Sequence, residues 1–406
     1  MATKTIADID LSDRTVLMRV DFNVPLDDDQ NVTDERRIVA ALPSIKTVLD
    51  AGGRLVLMSH LGRPKGEVTS EFSLKPAAET LGEHLGKEVK LGPADPVAGD
   101  EAREMVADLQ AGDVLCLENV RFDQREDTKD NISQVEALGR EMADLGADVY
   151  VNDAFGTCHR KHASMWGCPK AMKAVGKPAV AGLLVEKEIK YLHEAVSDPK
   201  RPFVAILGGA KVSDKIKLID SLLGKCDKIL IGGAMAYTLL EAAGHSIGTS
   251  LCEEDQLETM KALLDRAGEK IVLPVDHVCA DDFKSDDAKA VDTVDIPDGL
   301  MGMDIGTQSI NLYEEIIKNA GTVVWNGPMG VFERKAYADG TKAVAEAIAN
   351  ATAGGTVSVI GGGDSASAVE TFGLAETMTH VSTGGGASLT YLEGKPMPPI
   401  EILDEQ

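Results

Sequence analysis

The chain is short of positive charge and has no long apolar run. Its 406 residues include 41 lysines and arginines against 66 aspartates and glutamates, a formal net charge of −25 at pH 7. This deficit disfavours nucleic acid and anionic membranes as partners, because both attract basic surfaces. No apolar run approaches the roughly eighteen residues that a membrane span needs. Residues 1–20 lack a basic segment followed by an apolar one, so we expect a cytoplasmic protein.

Paired cysteine motifs are also missing. The six cysteines include no C-x-x-C pair, which argues against a disulfide framework or a zinc ribbon and favours reduced, mostly buried thiols. One cluster, Cys158, His159, His162 and Cys168, has spacings that a metal could use. These spacings match no common zinc template, and the two basic residues between the histidines would repel a cation. We favour no metal there, although the sequence leaves the question open.

The excess of acidic residues allows two interpretations. Calcium binding at 27–38 is disfavoured, because Val32 occupies the position of the usual glycine and Ile38 that of the usual glutamate. The chain is then either an ordinary acidic enzyme or a protein from a cytoplasm with molar salt. At that ionic strength screening acts within about 3 Å and quenches carboxylate repulsion. We favour the second, halophilic hypothesis.

Short apolar runs alternate with helix-like segments along the whole chain, a rhythm typical of βαβ units. Strands are predicted in the first half at 15–20, 54–59, 113–118 and 148–153. In the second half they are predicted at 203–209, 228–233, 321–327, 356–363 and 379–386. Nearly continuous apolar strands that alternate with helices form parallel sheets covered on both faces. The sequence therefore predicts an α/β protein with doubly wound, Rossmann-like parallel sheets.

Segment 182–202 is predicted to be an amphipathic helix that ends in a turn at Pro199 and Pro202. The alternative is a crossover helix within a single sheet, but more than nine strands in one open sheet are uncommon. We therefore predict an N-terminal domain, 1–183, and a C-terminal domain, 203–390, joined by the helix and hinge 184–202, with an active-site cleft between them. The tail, 391–406, carries three prolines and is expected to run extended over the surface.

Polar and basic residues follow each predicted strand of the first half, where ligands of parallel sheets gather. In chain order the four sets are Asp21 and Asn23; His60, Arg63 and Lys65; Asn119 and Arg121; and His159, Arg160 and His162. Each set alone could be unrelated surface charge. Together, in a protein short of cations, they favour an anion site, because arginine binds phosphate and carboxylate through paired, planar hydrogen bonds.

Glycine turns follow strands of the second half instead. They lie at 208–209, 232–233, 361–363 and 384–386. Amides at such turns and at helix N-termini bind phosphate oxygens, so the repetition indicates a nucleotide. GGGDSA (361–366) also fits the dinucleotide pattern G-x-G-x-x-A, but the following strand ends in HVSTGGG, without the acidic residue that the ribose requires. No P-loop motif occurs.

Two lysines and an aspartate accompany these turns and suit phosphoryl transfer. Lys211 and Lys215 follow one turn and Asp364 follows another. Asp364 could bind Mg²⁺, which takes one or two carboxylates plus substrate phosphates, or could cap the helix predicted at 365–372. The residues favour an anionic, phosphorylated metabolite on one domain, a magnesium nucleotide on the other, and transfer after closure.

A series of specific segments runs in order through nearly the whole chain. They are RVDFNVP (19–25), SHLGRPKGE (59–67), LENVRF (117–122), VNDAFGTCHRKHASM (151–165), LGGAKVSDKIKLIDSLL (207–223), WNGPMGVFE (325–333), GGGDSAS (361–367) and STGGGASL (382–389). Together they resemble the phosphoglycerate kinase family. The resemblance implies reversible, in-line transfer between 1,3-bisphosphoglycerate and ADP, giving 3-phosphoglycerate and ATP, with Mg²⁺, in glycolysis and gluconeogenesis. It also implies a monomer.

The resemblance further implies roles for residues of the first domain. The glycerate end is expected to be placed by Asp21, Asn23 and His60. The non-transferring phosphate is expected to be held by Arg63, Arg121 and Arg160. Arg37, which the residues alone mark only as part of a helix start, matches the catalytic arginine that meets the migrating group. Lys65 has no assigned partner and is expected to be solvated.

In the second domain, Lys211 is expected to contact phosphate, Lys215 to follow the transferred group and Asp364 to bind the metal. The amides that would stabilise charge lie around Gly362, Gly363, Gly385 and Gly386. Other nucleotide contacts implied by the family are Gly209, Gly232, Gly233, Gly306, Asn326, Glu333 and Ser365. Glu188, in the joining helix, matches a position associated with hinge motion.

The sequence departs from the family pattern at two positions. Thr307 stands where the family usually has proline, which puts the loop near the base in doubt, and Cys158 stands where alanine is common. A non-catalytic protein that binds anionic metabolites would be served equally well by the fold and the basic edge. A dehydrogenase is weakened by the missing ribose acid. Lys215 and Asp364 favour the kinase, because a pure binding protein needs no phosphate-tracking lysine beside a metal ligand.

Overall fold

The computed structural model describes residues 3–128 and 130–405. The chain divides into two compact units. The first comprises Met1–Ile189 together with Pro396–Gln406, and the second comprises Lys190–Lys395. Each unit is built around its own six-stranded parallel sheet, so the prediction of two doubly wound α/β domains is confirmed. No helix in the described part of the chain is long and apolar enough to cross a membrane.

The first unit is a parallel sheet with helices packed against it. Its strands are β1 (Thr15–Val20), β2 (Arg54–Met58), β3 (Lys90–Leu91), β4 (Val114–Cys116), β5 (Val149–Asp153) and β6 (Ala179–Ala181), in the order β3-β4-β2-β1-β5-β6. Its helices are α1 (Arg36–Asp50), α2 (Lys75–Leu85), α3 (Asp100–Ala107), α4 (Ile132–Ala143) and α5 (Cys168–Ala174). A π-helical turn, Ala163–Gly167, precedes α5.

The central strand of this unit shows why the sheet forms. All six residues of β1 are buried, as expected for a strand covered on both faces. On one face Val16, Met18 and Val20 belong to the same apolar core as Ile38 and Ile45 of α1. Burying side chains of this size stabilises the fold by about 1.5–3 kcal/mol each.

Helix α6 (Leu183–Ser197) joins the units, and the boundary between them falls within it. Its start is anchored inside the first unit. Asp153, the last residue of β5, accepts a hydrogen bond from the N–H of Leu184 at 2.9 Å, and Ser44 of α1 accepts one from Leu183 at 2.8 Å. The first turn of the joining helix is therefore held by a strand end and a neighbouring helix.

The second unit has two sheets. Its strands are β7 (Phe203–Leu207), β8 (Lys228–Ile231), β9 (Ile271–Val272), β10 (His277–Ala280), β11 (Lys289–Val291), β12 (Met301–Ile305), β13 (Thr322–Asn326), β14 (Val357–Gly361) and β15 (His380–Val381). The parallel sheet has the order β15-β14-β13-β7-β8-β9, with its switch point between β7 and β13. The helices are α7 (Ile216–Leu223), α8 (Met235–Ala242), α9 (Leu257–Ala267), α10 (Thr307–Lys318), α11 (Asp339–Ala353), α12 (Gly363–Thr371) and α13 (Gly386–Leu392).

Two features differ from the expectation. Strands β10, β11 and β12 form a separate antiparallel sheet that the sequence did not reveal, because β11 is three residues long and lies in an acidic segment without an apolar period. The tail, expected to be extended, contains a short helix, α14 (Pro398–Glu401). Its proline at the first helical position explains this, because the fixed φ of proline suits a helix start.

Candidate active site

The residues expected at the glycerate end lie together at the carboxyl edge of the first sheet. A guanidinium nitrogen of Arg37 donates to Asp21 at 3.0 Å. Asn23 accepts a hydrogen bond from the backbone N–H of Gly62 at 2.8 Å, which ties the segment after β1 to the loop after β2. His60, on that loop, is 5% exposed. The structure therefore groups Asp21, Asn23, Arg37 and His60 near one another.

The three arginines expected at the phosphate line a single cavity of about 610 Å³. Arg63, Arg121 and Arg160 come from the loops after β2, β4 and β5. Arg121 is only 8% exposed, and its side chain donates to the carbonyl of Gly62 at 2.8 Å. Asp127 lies 3.3 Å from Arg121 Nε, so one carboxylate offsets part of the positive charge. The cavity suits a small, multiply charged anion.

Two histidines beside this cavity are kept neutral by their surroundings. Burial and the charges of nearby arginines lower the pKa of His162 to about 3. Burial and Arg160 lower the pKa of His159 to about 4. His162 lines the cavity, and its Nδ1 atom has no hydrogen-bond partner among the described residues. Both histidines belong to the strand-end sets that predict an anion site, but the family resemblance gives neither of them a role.

The cysteine and histidine residues of this region, for which the sequence leaves metal binding open and disfavoured, can also be located. Cys158 and Cys168 are buried, and His159 Nε2 accepts a hydrogen bond from Arg160 at 2.9 Å. Across residues 3–128 and 130–405, no group of three or more His, Cys, Asp or Glu side chains is arranged to hold a metal ion.

A second cavity, of about 500 Å³, lies at the carboxyl edge of the parallel sheet in the second unit. It is lined by residues that follow β7, β13, β14 and β15, the strands around the switch point. The predicted residues among them are Gly209, Lys211, Lys215, Asn326, Gly362, Gly363, Asp364, Ser365, Gly385 and Gly386. Gly362 has φ 92° and Gly385 has φ 48°, so both occupy backbone conformations that favour glycine.

Lys215 is the half-buried cation of this cavity. Its ammonium group donates a hydrogen bond to Asn326 Oδ1. Burial lowers the pKa of Lys215 to about 8, and the charges of Asp364, Asp214 and Glu393 oppose that shift. Lys211 is exposed at the cavity wall. The ammonium of Lys215 is thus held by Asn326, whereas the side chain of Lys211 extends toward solvent.

The structure separates the two interpretations of Asp364. The N-cap of α12 is Gly362 and has no side-chain cap, so Asp364 does not cap the helix. Its exposed carboxylate lies in the first helical turn and lines the cavity. A carboxylate beside the backbone amides of a helix N-terminus fits Mg²⁺, which takes carboxylates and phosphate oxygens as ligands.

Four predicted nucleotide residues do not line this cavity. A Cβ on Gly233 would lie 2.5 Å from Gly209 N, so this glycine packs directly behind the cavity wall. A Cβ on Gly232 would meet Met329, and one on Gly306 would meet the carboxylate of Asp276. Glu333 is exposed. Position 307 is the first residue of α10, where threonine and proline are both accommodated.

The two sites define the class of protein. An arginine-lined cavity suits a small anionic metabolite, whereas glycine turns with a lysine and an acidic side chain suit the phosphates of a nucleotide. Each site lies at the carboxyl edge of a parallel sheet, where α/β enzymes bind their ligands. The two sites together therefore indicate a kinase that acts on a small molecule.

Comparison with known proteins gives the family. The family model described as phosphoglycerate kinase matches residues 6–395. The phosphoglycerate kinase of Rhodopirellula baltica is 55% identical over 409 residues, with 100% of each chain covered. That of Chloroherpeton thalassium is 52% identical with 99% of each covered. The structure of the Coxiella burnetii enzyme superposes with a TM-score of 0.86 at 39% identity, and covers 98% of each chain.

The chain belongs to the phosphoglycerate kinase family. Membership over the full length implies the reversible, ATP-dependent reaction of 3-phosphoglycerate in glycolysis. The predictions of a kinase and of this reaction are confirmed.

Proposed function

We propose that the first unit binds the phosphoglycerate and the second binds the nucleotide. Arg63, Arg121 and Arg160 would hold the non-transferring phosphate. The glycerate end would be placed by Asp21, Asn23 and His60, and Arg37 would meet the migrating phosphoryl group. The observation that carries this assignment is the convergence of three arginines from three separate loops on one cavity.

On the nucleotide side, Lys211 would contact phosphate and Lys215 would follow the transferred group. Amides around Gly362 and Gly385 would stabilise the developing charge, because backbone N–H groups at helix N-termini attract phosphate oxygens. Further nucleotide contacts would come from Gly209, Gly232, Gly233, Gly306, Asn326, Glu333, Gly363 and Ser365.

Asp364 would hold Mg²⁺ together with the nucleotide phosphates. The ion supplies charge neutralisation of the phosphate oxygens during transfer. The chain's own contribution is to position both substrates, exclude water and direct two cations, Arg37 and Lys215, at the transferring group. Because these groups belong to different units, in-line transfer would follow closure of the units.

A kinetic comparison tests these assignments. Arg160→Ala should raise the KM for 3-phosphoglycerate at least tenfold and leave the KM for ATP nearly unchanged, since it removes one charged phosphate contact. Lys215→Ala should lower kcat far more than it changes either KM, and Asp364→Asn should raise the Mg²⁺ concentration needed for activity.

Lys65→Ala is a matched control for Arg63→Ala, because both residues are exposed cations on the loop after β2. If Arg63→Ala and Lys65→Ala changed the KM for 3-phosphoglycerate equally, the assignment of Arg63 to the phosphate would be wrong. An equal loss of affinity for both substrates in Arg160→Ala would argue against separate binding units.

We also propose a cytoplasmic monomer adapted to high salt. The excess of 66 acidic over 41 basic residues supports the salt adaptation, since repulsion within the folded state weakens as ionic strength rises.

A further inference from the structure

An arginine inside the first sheet carries no role in the scheme above. Arg19 lies within β1 and is fully buried. Its guanidinium group makes three hydrogen bonds: Nε donates to Ser164 Oγ at 2.9 Å, Nη1 donates to the carbonyl of Val20, and Nη2 lies 3.1 Å from His60 Nδ1. A charged side chain in this setting costs free energy unless its partners are fixed.

The contact with His60 determines where the proton of the imidazole ring resides. A guanidinium group has donors and no acceptor, so Nδ1 of His60 must accept this bond with its lone pair. The ring is then neutral and carries its hydrogen on Nε2. Asp21 lies 3.7 Å from the same Nδ1 atom, but no proton is available there to form an ion pair. Burial and the charge of Arg19 lower the pKa of His60 well below its usual value, which agrees with a neutral ring.

A buried acidic side chain, Glu126, ends this chain of hydrogen bonds, and burial raises its pKa to about 7. Glu126 is fully buried and accepts two hydrogen bonds from Ser164, one from the backbone N–H at 2.9 Å and one from Oγ at 2.6 Å. Ser164 Oγ thus donates to Glu126 and accepts from Arg19. Ser164 belongs to the π-helical turn, and such turns occur often at functional sites.

We propose that Glu126, Ser164 and Arg19 are positioning residues that hold His60 as the neutral tautomer with hydrogen on Nε2. His60 would then offer a donor, never a lone pair, to the oxygen atoms of the glycerate end. The direction of that donor rests on the proposed function of His60, whereas the tautomer rests on the contacts of Arg19 alone.

The experiment is nitrogen NMR of the ligand-free, full-length protein labelled in its histidines. Two-bond correlations distinguish the protonated from the unprotonated ring nitrogen, and the His60 signals are assigned by their loss in His60→Gln. The expected result near pH 7 is one tautomer with an unprotonated Nδ1. A protonated Nδ1 would overturn the proposal.

Three variants test the relay, the chain of hydrogen bonds that runs from Glu126 through Ser164 and Arg19 to His60. Arg19→Met removes the donor to Nδ1 of His60. Ser164→Ala removes the hydroxyl group between Arg19 and Glu126, and Glu126→Gln replaces the ionisable carboxyl group with an amide of the same shape. Each should convert the single-tautomer pattern of His60 into a mixture or shift its Nδ1 signal. If Arg19→Met does not fold, Ser164→Ala and Glu126→Gln still decide, because an unchanged His60 spectrum in both would overturn the relay.

Glu118→Gln is the matched control. Glu118 is a buried carboxylate of the same unit that likewise accepts from a serine hydroxyl, that of Ser73, and from backbone N–H groups. The Glu118→Gln variant should leave the His60 spectrum unchanged. A change in that spectrum equal to the change in Glu126→Gln would overturn the proposal.

Kinetics add a readout of function. Glu126→Gln should raise the KM for 3-phosphoglycerate about tenfold, the size expected for one hydrogen bond to a charged group, and leave the KM for ATP unchanged. The NMR experiment needs no substrate, so the two hypotheses can fail independently. A protonated Nδ1 would overturn the tautomer but not the proposed function, and an inactive wild-type enzyme would overturn the proposed function but not the tautomer.

Discussion

The half-buried ammonium group of Lys215 gives a prediction about alkaline pH. Burial lowers its pKa to about 8 from the ordinary lysine value of 10.5. The group is charged below that pKa and loses its charge as the pH rises through it. If Lys215 must be charged to stabilise the transferring phosphoryl group, activity falls on the alkaline side.

The size of the effect follows from the pKa. With a pKa of about 8 the lysine is about nine-tenths charged at pH 7 and about one-tenth charged at pH 9, whereas an ordinary lysine is almost fully charged at both. The kcat/KM for MgATP at saturating 3-phosphoglycerate, which reports ionisations before the nucleotide binds, should therefore fall about tenfold between pH 7 and pH 9.

Two variants separate Lys215 from other alkaline titrations. Lys215→Arg carries a charge that persists at pH 9, so whatever activity it retains should not show the fall. Lys211→Arg changes the exposed lysine of the same cavity and should keep the fall in place. A wild-type profile that stays flat to pH 10, or the same alkaline fall in Lys215→Arg, would refute the reasoning.

Three further predictions concern stability. Lys65 has φ 58°, a left-handed backbone conformation that asparagine adopts more readily than lysine. Lys65→Asn should therefore raise the free energy of unfolding by up to about 1 kcal/mol. A loss of stability in urea denaturation would contradict this prediction. Asp404 accepts a hydrogen bond from the N–H of Ala179 at 2.9 Å and lies 3.1 Å from the Lys173 ammonium. Asp404→Ala should therefore lower the free energy of unfolding, measured by urea denaturation, by about 1–2 kcal/mol, whereas Glu405→Ala, at an exposed position, should not. The acidic surface predicts loss of activity and of far-UV circular dichroism at about 0.1 M salt and recovery at molar salt; full retention at low salt would end the halophilic hypothesis.

Most strands, and the turns between them, could be predicted from the sequence. Strands of a parallel sheet are buried on both faces and therefore consist of nearly continuous apolar runs. The run at 15–20 became β1 with its bounds unchanged, and the run at 321–327 became β13 at Thr322–Asn326. Of the predicted glycine turns, those at 208–209, 361–363 and 384–386 contribute residues to the cavity of the second unit. Short edge strands, such as β3 and β11, left no such signal.

The supporting residues of the site could not be predicted, because their partners are distant in sequence. Arg19 and Ser164 are 145 positions apart, and Ser164 and Glu126 are 38 apart. The one visible signal was a charged residue in an otherwise apolar strand. Arg37 shows the opposite case: its helix start was predicted from the residues, but only family resemblance gave it a role.

The tail has a consequence for how the protein is made. Lys4 donates to the carbonyl of Asp404 at 2.8 Å, Asp404 donates to Ala179 at 2.8 Å, and Thr3 pairs with Glu405. The segment around Lys4 can therefore complete this pairing only after the segment around Asp404 has been synthesised. The second unit, Lys190–Lys395, is contiguous and can complete its fold earlier. A ribosome-stalled chain ending near residue 395 would therefore carry a finished second unit and a first unit still open to proteases.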